Sequence, residues 1–164
     1  MIIVGDYEVG KTSIIRRFKE KIFTEGYLPT LHLKISKVMM NYGETNVNFL
    51  CWDVGGQSTQ MIPYRNRFYE GAQSGIIVVD RTREKTLINA EKWYQDSTKS
   101  NKIPFILVGN KSDLVNEIVV DEQDLKDMAE KLDINLFITS AKTGENINNL
   151  FTNLVYMYFE SRNF

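Results

Sequence analysis

The chain has 164 residues, of which 43% are hydrophobic and 25% charged, and its formal net charge is −1. That is one domain's length with apolar material for a core; the near-balance of charge gives no electrostatic footprint for nucleic acid, and no apolar run approaches the roughly 18 residues that span a bilayer. The one cysteine, Cys51 in an apolar run, excludes an internal disulfide, leaves a zinc site short of ligands, and reads as a small buried hydrophobe in a reducing cytoplasm.

Residues 2–4 are a short apolar run that ends at Gly5, strand-like rather than signal-like. Gly5-Asp6-Tyr7-Glu8-Val9-Gly10-Lys11-Thr12 follows and fits G-x-x-x-x-G-K-[ST] in full, between that strand and a helix expected over 11–18. Such a loop turns its backbone N–H groups inward, those of Glu8, Val9 and Gly10 among them, and the helix N-terminus adds partial positive charge, so both face phosphates. Gly10 lets the backbone come close. Lys11 is expected to reach the β- and γ-phosphates, the Thr12 hydroxyl to ligate Mg²⁺, and Ser13 to donate to the α-phosphate. A chance glycine turn before a helix is the bland alternative, and the complete match in this context weighs against it.

Residues 33–40 and 45–52 are strand-like, joined by Asn41-Tyr42-Gly43-Glu44 as a turn. The second run leads into Cys51-Trp52-Asp53-Val54-Gly55-Gly56-Gln57. An acidic residue at a strand end can hold Mg²⁺ through water, here Asp53; Gly56 can offer its N–H to a γ-phosphate and Gln57 can orient an attacking water. Alone, Asp-x-x-Gly is an ordinary turn; behind a full P-loop it gains its chemical meaning.

Apolar runs recur at 75–80, 104–109 and 136–139, separated by helical patterns at 83–100 and 121–132 and followed by one at 145–161. In the last, Ile147, Leu150, Phe151, Leu154, Val155 and Tyr158 form a core-facing stripe. Asn110-Lys111-Ser112-Asp113 leaves the 104–109 run. One carboxylate, Asp113, can accept from guanine N1–H and the exocyclic amine, which adenine cannot match; sites of this kind discriminate by roughly 10⁴–10⁵. Lys111 can lay its stem along the base, and Asn110 can tie this loop to the P-loop. After the 136–139 run, Thr139-Ser140-Ala141-Lys142 places an Ala141 N–H for guanine O6 and Lys142 on the other side of the base. Asn110-Lys111-Ser112-Asp113 alone is weak and reads as a solvated loop.

Strands alternating with helices imply an α/β fold with a mostly parallel sheet covered on both faces. The turn at Gly43 is too short for a crossover, so that pair must be antiparallel. Ligands gather at the carboxyl ends of such strands, which is where every motif falls.

In this order the motifs are those of a known family: the chain resembles a Ras-superfamily small GTPase over essentially its whole length, as one G domain spanning 1–164. The P-loop, Thr30, Asp53-Val-Gly-Gly56, Asn110-Lys-Ser-Asp113 and Ser140-Ala-Lys142 carry the likeness. It implies the P-loop NTPase small-GTPase fold: a six-stranded, mostly parallel sheet with one antiparallel strand and five helices on both faces. It also implies Mg²⁺ with GTP or GDP, two switch regions, and exchange factors, GTPase-activating proteins and effectors as partners. By that likeness Phe23 lies edge-on to guanine, Tyr27 covers the phosphates, Thr30 completes the Mg²⁺ shell in the GTP state, and 53–70 is the second switch. On residues alone Phe23 reads as a core aromatic. A monomer is expected, acting in signalling or vesicle trafficking, cytoplasmic and reaching membranes through partners. Ile2 at the second position and the lack of a C-terminal cysteine argue against a lipid anchor on this chain.

The subfamily is mixed. Residues 5–18 and Thr143-Gly-Glu-Asn146 are similar to Rab or Ras, whereas Trp52-Asp-Val-Gly-Gly-Gln57 is similar to Arf, without the N-terminal amphipathic helix of Arf. Tyr7 and Glu8 stand where the family has small residues, and His32 and Lys34 stand in the presumed effector strand. The leading expectation is a switch that hydrolyses GTP slowly, with Lys11, Gly56 and Gln57 catalytic and Tyr7 obstructing an incoming arginine. The alternative is a GTP-binding scaffold with little or no hydrolysis.

Overall fold

The computed structural model describes residues 1–23, 33–54, 69–99 and 102–161. Six strands lie in one sheet: β1 (Ile2–Val4), β2 (Leu33–Tyr42), β3 (Thr45–Val54), β4 (Gly75–Asp80), β5 (Phe105–Asn110) and β6 (Asn135–Ile138), in the order β2-β3-β1-β4-β5-β6. Among the described residues only β2 and β3 pair antiparallel, and every other pairing is parallel. The hairpin is tighter than the sequence suggests. Tyr42 pairs with Thr45, which leaves Gly43-Glu44 as a two-residue turn, and Gly43 takes the positive φ (58°) that such a turn needs at its first central position.

Four helices pack on this sheet: α1 (Lys11–Glu20), α2 (Glu84–Thr98), α3 (Glu122–Leu132) and α4 (Ile147–Glu160). The resemblance implies five; four α-helices and a 3₁₀ turn at Val115–Glu117 stand among the described residues, and 55–68 lies outside them. α3 starts with a reciprocal cap, Asp121 accepting from the Asp124 N–H and Asp124 from the Asp121 N–H. α1 ends at Lys21, whose left-handed backbone (φ 57°) lets its N–H reach the Arg17 carbonyl.

The strand pleat divides the core in two. Ile3, Ile76, Val78, Ile106 and Val108 meet α1 and α4, where Phe18 stacks on Phe151 with centroids 3.9 Å apart. Ile2, Val4, Ile77, Val79, Phe105 and Leu107 meet the apolar sides of α2 and α3. All three residues of β1 have 0% exposure. Burial at about 1.5–3 kcal/mol per such side chain lets so short a strand hold the sheet's centre. Cys51 is fully buried on β3, and burial pushes its thiol up to about 11. Among the described residues no helix is long and apolar enough to cross a membrane.

β1 has β3 on one side and β4 on the other, and the loop after β1 leaves the sheet between them. That is the switch point at which an open α/β sheet has its crevice.

Candidate functional site

The P-loop hugs the sheet at its two glycines. A Cβ on Gly5 would fall 2.4 Å from the Val78 carbonyl oxygen, and one on Gly10 would fall 2.3 Å from Asn110 Nδ2. Both residues also have positive φ, 139° and 100°, so the G-x-x-x-x-G spacing follows from close approach as well as from conformation. Lys11 is buried, and its ammonium donates to the carbonyls of Gly5 (2.9 Å) and Asp6 (2.7 Å). It therefore lies folded back inside the loop's concavity. Val9 is buried, Ser13 sits in the first turn of α1, and Glu8 is exposed with a left-handed φ of 65°.

The end of β3 brings Asp53 against α1, where the Thr12 hydroxyl donates to Asp53 Oδ2. Asp53 has 0% exposure, and its Oδ1 has no hydrogen-bond partner among the described residues. Burial raises its carboxyl above the ordinary range, against the Thr12 hydrogen bond and the charges of Lys11 and Lys34. A carboxylate and a hydroxyl side by side are hard oxygen donors of the kind Mg²⁺ takes, and the orphaned oxygen is one that a cation would satisfy. Among the described residues no three His, Cys, Asp or Glu side chains cluster, so phosphates and waters would have to complete the shell.

Asn110, 1% exposed, joins three segments. Its amide donates to the Val9 carbonyl (2.9 Å) in the P-loop, and its Oδ1 accepts from the Thr139 hydroxyl (3.1 Å) and the Ala141 N–H (3.2 Å). The Ala141 N–H, expected to face a base, thus bonds to Asn110. Asp113 accepts from Ser140 Oγ (2.5 Å), which in turn accepts from the Thr143 N–H (3.0 Å). The Asn110–Asp113 and Ser140–Lys142 loops are therefore one braced unit.

Lys111, whose stem is expected to lie along the base, has its head group tied down. Its ammonium donates to Asp80 Oδ2 at 2.6 Å. Asp80, at the end of β4 with no exposure, also accepts from Arg83 Nε (2.8 Å) and from the Thr82 N–H and hydroxyl (2.9 and 2.7 Å). Burial alone would raise its carboxyl; the bonds from Lys111 and Thr82 outweigh that and hold it below the ordinary range. Arg83 further donates to the Tyr7 carbonyl (2.6 Å).

Sequence reasoning missed several contributors. Arg17 of α1 donates from Nε to the Ala141 carbonyl (2.7 Å) and from its other end to the Lys142 carbonyl, fixing the second base-side loop. Asp80 was open to discovery by the rule that found Asp53, an acid at a strand's carboxyl end. Asp6, Asn89 and Trp93, which meet across the P-loop, left no local signal. Phe23 is half-buried and packs against the α1/α4 core, as its residue-level reading expects. Tyr27, Thr30, His32, Gly56 and Gln57 lie outside the described residues.

Comparison with known proteins agrees with this geometry. A sequence model of the Ras family matches residues 1–159. The Ras-related protein Rab-1D of Dictyostelium discoideum is 31% identical over 156 residues, 94% of this chain and 76% of that protein.

Proposed function

Because the chain belongs to the Ras family of small GTPases, we propose that it binds guanine nucleotide with Mg²⁺, hydrolyses GTP slowly, and changes shape with the nucleotide state. The observation that carries this reading is the Asn110 junction, in which one buried amide locks the phosphate loop to both base-side loops. Phosphates would draw on the P-loop N–H groups and on Lys11, which must turn from the Gly5 and Asp6 carbonyls to meet them. Asp113 would read the two guanine donors while Ser140 fixes its orientation. Thr12, Asp53 and, in the GTP state, Thr30 would hold Mg²⁺, which when bound neutralises phosphate charge. Gly56 would donate to the γ-phosphate, Gln57 would orient water, and Tyr27 and Phe23 would line the nucleotide. Exchange factors, activating proteins and effectors would read the two states.

Single-turnover GTP hydrolysis by the purified protein tests this. The expected rate is about 10⁻⁴ to 10⁻³ s⁻¹, the unassisted scale of a Ras-type site, with GDP as the nucleotide that co-purifies. Tyr7→Gly is expected to gain rate or to gain response to an arginine-supplying activator. Retention of unhydrolysed GTP by both proteins would instead select the scaffold reading.

A further inference from the structure

Helix α2 grips the phosphate loop from outside the nucleotide cleft. The Asp6 carboxylate leaves the P-loop sideways and accepts two hydrogen bonds, one per oxygen: Oδ1 from the Trp93 indole N–H and Oδ2 from the Asn89 amide, both 2.7 Å. Asn89 and Trp93 are four residues apart on α2 and so share a face. One residue on, the Tyr7 carbonyl accepts from Arg83 at the start of the same helix. Asp6 also presents the backbone carbonyl that receives Lys11 Nζ. The side chain held by α2 and the carbonyl that stores the phosphate-binding lysine thus belong to one residue.

We infer that Asn89 and Trp93 are positioning residues for nucleotide binding, acting through Asp6 to set the outer arm of the P-loop. Three features of the contact fit that role. Two neutral donors meet a carboxylate, a pairing stronger than a neutral hydrogen bond. They turn a negative group away from the place where phosphates would sit. Their own helix is fastened to the core through the buried Thr86 and Ala90, so the arm is referred to a rigid element. Loss of either donor frees Asp6 to rotate towards the phosphates and leaves the outer arm of the loop, with its N–H groups, less firmly set. The nucleotide should then leave faster.

The inference rests on the guanine-nucleotide reading, so binding of fluorescent GDP by the parent is measured first. A parent that binds none defeats that reading, and the signal described below then decides the contact by itself. With binding in hand, release of fluorescent GDP is timed for Asn89→Ala, Trp93→Phe, Asp6→Ala and the Asp6→Ala/Trp93→Phe pair. Asn89→Ala and Trp93→Phe are each expected to release about tenfold faster, the equivalent of one charge-assisted bond of about 1.4 kcal/mol, and Asp6→Ala, which removes both bonds, at least as fast. The pair should release no faster than Asp6→Ala alone, because Asp6→Ala already removes the acceptor that the Trp93 N–H serves. Parent-like rates, or additive effects in the pair, would overturn the inference. Should the variants not fold, the Trp93 indole N–H resonance of the intact protein, assigned against Trp52→Phe, serves instead. A downfield, slowly exchanging signal supports the clamp, and a random-coil signal exchanging freely with solvent rules it out.

Discussion

Two aspartates stand at the carboxyl ends of the strands that flank β1, Asp53 near the end of β3 and Asp80 at the end of β4. Neither has any exposed surface, yet they titrate in opposite directions. Asp80 is answered by the protein itself, through Lys111, Arg83 and Thr82, and stays below the ordinary carboxylate range. Asp53 receives the Thr12 hydroxyl on one oxygen and has no partner for the other among the described residues, and burial raises it. One residue type, in one kind of place, is completed by the fold in the first case and left for a ligand in the second. Under the proposed function, the base side of the cleft is therefore finished before nucleotide arrives, and the metal side is not.

The sharpest test of the finished side is its selectivity. Asp113→Asn should lower the preference for guanine over xanthine nucleotides by about 10⁴, read from competitive binding of GDP and XDP, since an amide can donate to the carbonyl that xanthine carries. An unchanged GDP affinity would remove Asp113 from the base site. A smaller effect is expected at Asp80. Asp80→Asn should destabilise the protein by about 2 kcal/mol at neutral pH, less than for a fully buried pair because Lys111 and Arg83 keep access to water. The lowered carboxyl of Asp80 stabilises the fold above the ordinary carboxylate range, and that contribution fades as pH falls through the lowered value. Urea unfolding against pH should show the acid-side slope in the parent and its reduction in the variant.

The smallest effect has the opposite sign. Asp53→Asn should slightly stabilise the metal-free protein at neutral pH. The folded carboxyl of Asp53 is raised, so its ionisation weakens the fold increasingly as pH climbs from the ordinary value through the raised one. The same variant should abolish the increase in GDP retention on adding Mg²⁺. If metal-free Asp53→Asn is less stable than the parent and its Mg²⁺ response survives, the two ends of the cleft do not differ as described.

The sheet was readable from sequence because its central strands are continuous apolar runs bounded by Gly5, Gly75 and Asn110. Strand ends moved where pairing outreached composition: polar Asn41 and Tyr42 stay in β2 because Asn46 and Thr45 face them across the hairpin. Likewise α1 runs to Glu20, two residues past the apolar stripe, until Lys21 supplies a left-handed cap. The candidate phosphate, metal and base motifs lie in contiguous stretches and so could be picked out locally. The second layer could not. Asp6 meets Asn89 and Trp93 over 83 and 87 residues of chain, and Arg17 meets Ala141 over 124. Such contacts depend on how helices sit on the sheet, which no local spacing encodes.

Cys51 lies on β3 two residues before Asp53, opposite Ser36. Its thiol is sealed from solvent and held at about 11, so in the folded protein it is almost wholly protonated and out of reach of alkylating reagents. It is also the chain's only cysteine. Every molecule a thiol reagent marks must therefore have opened at the strand that carries Asp53. The labelling rate becomes a single-site clock for that opening, and its slowing by Mg²⁺ and GDP would report how far ligand binding shuts the strand.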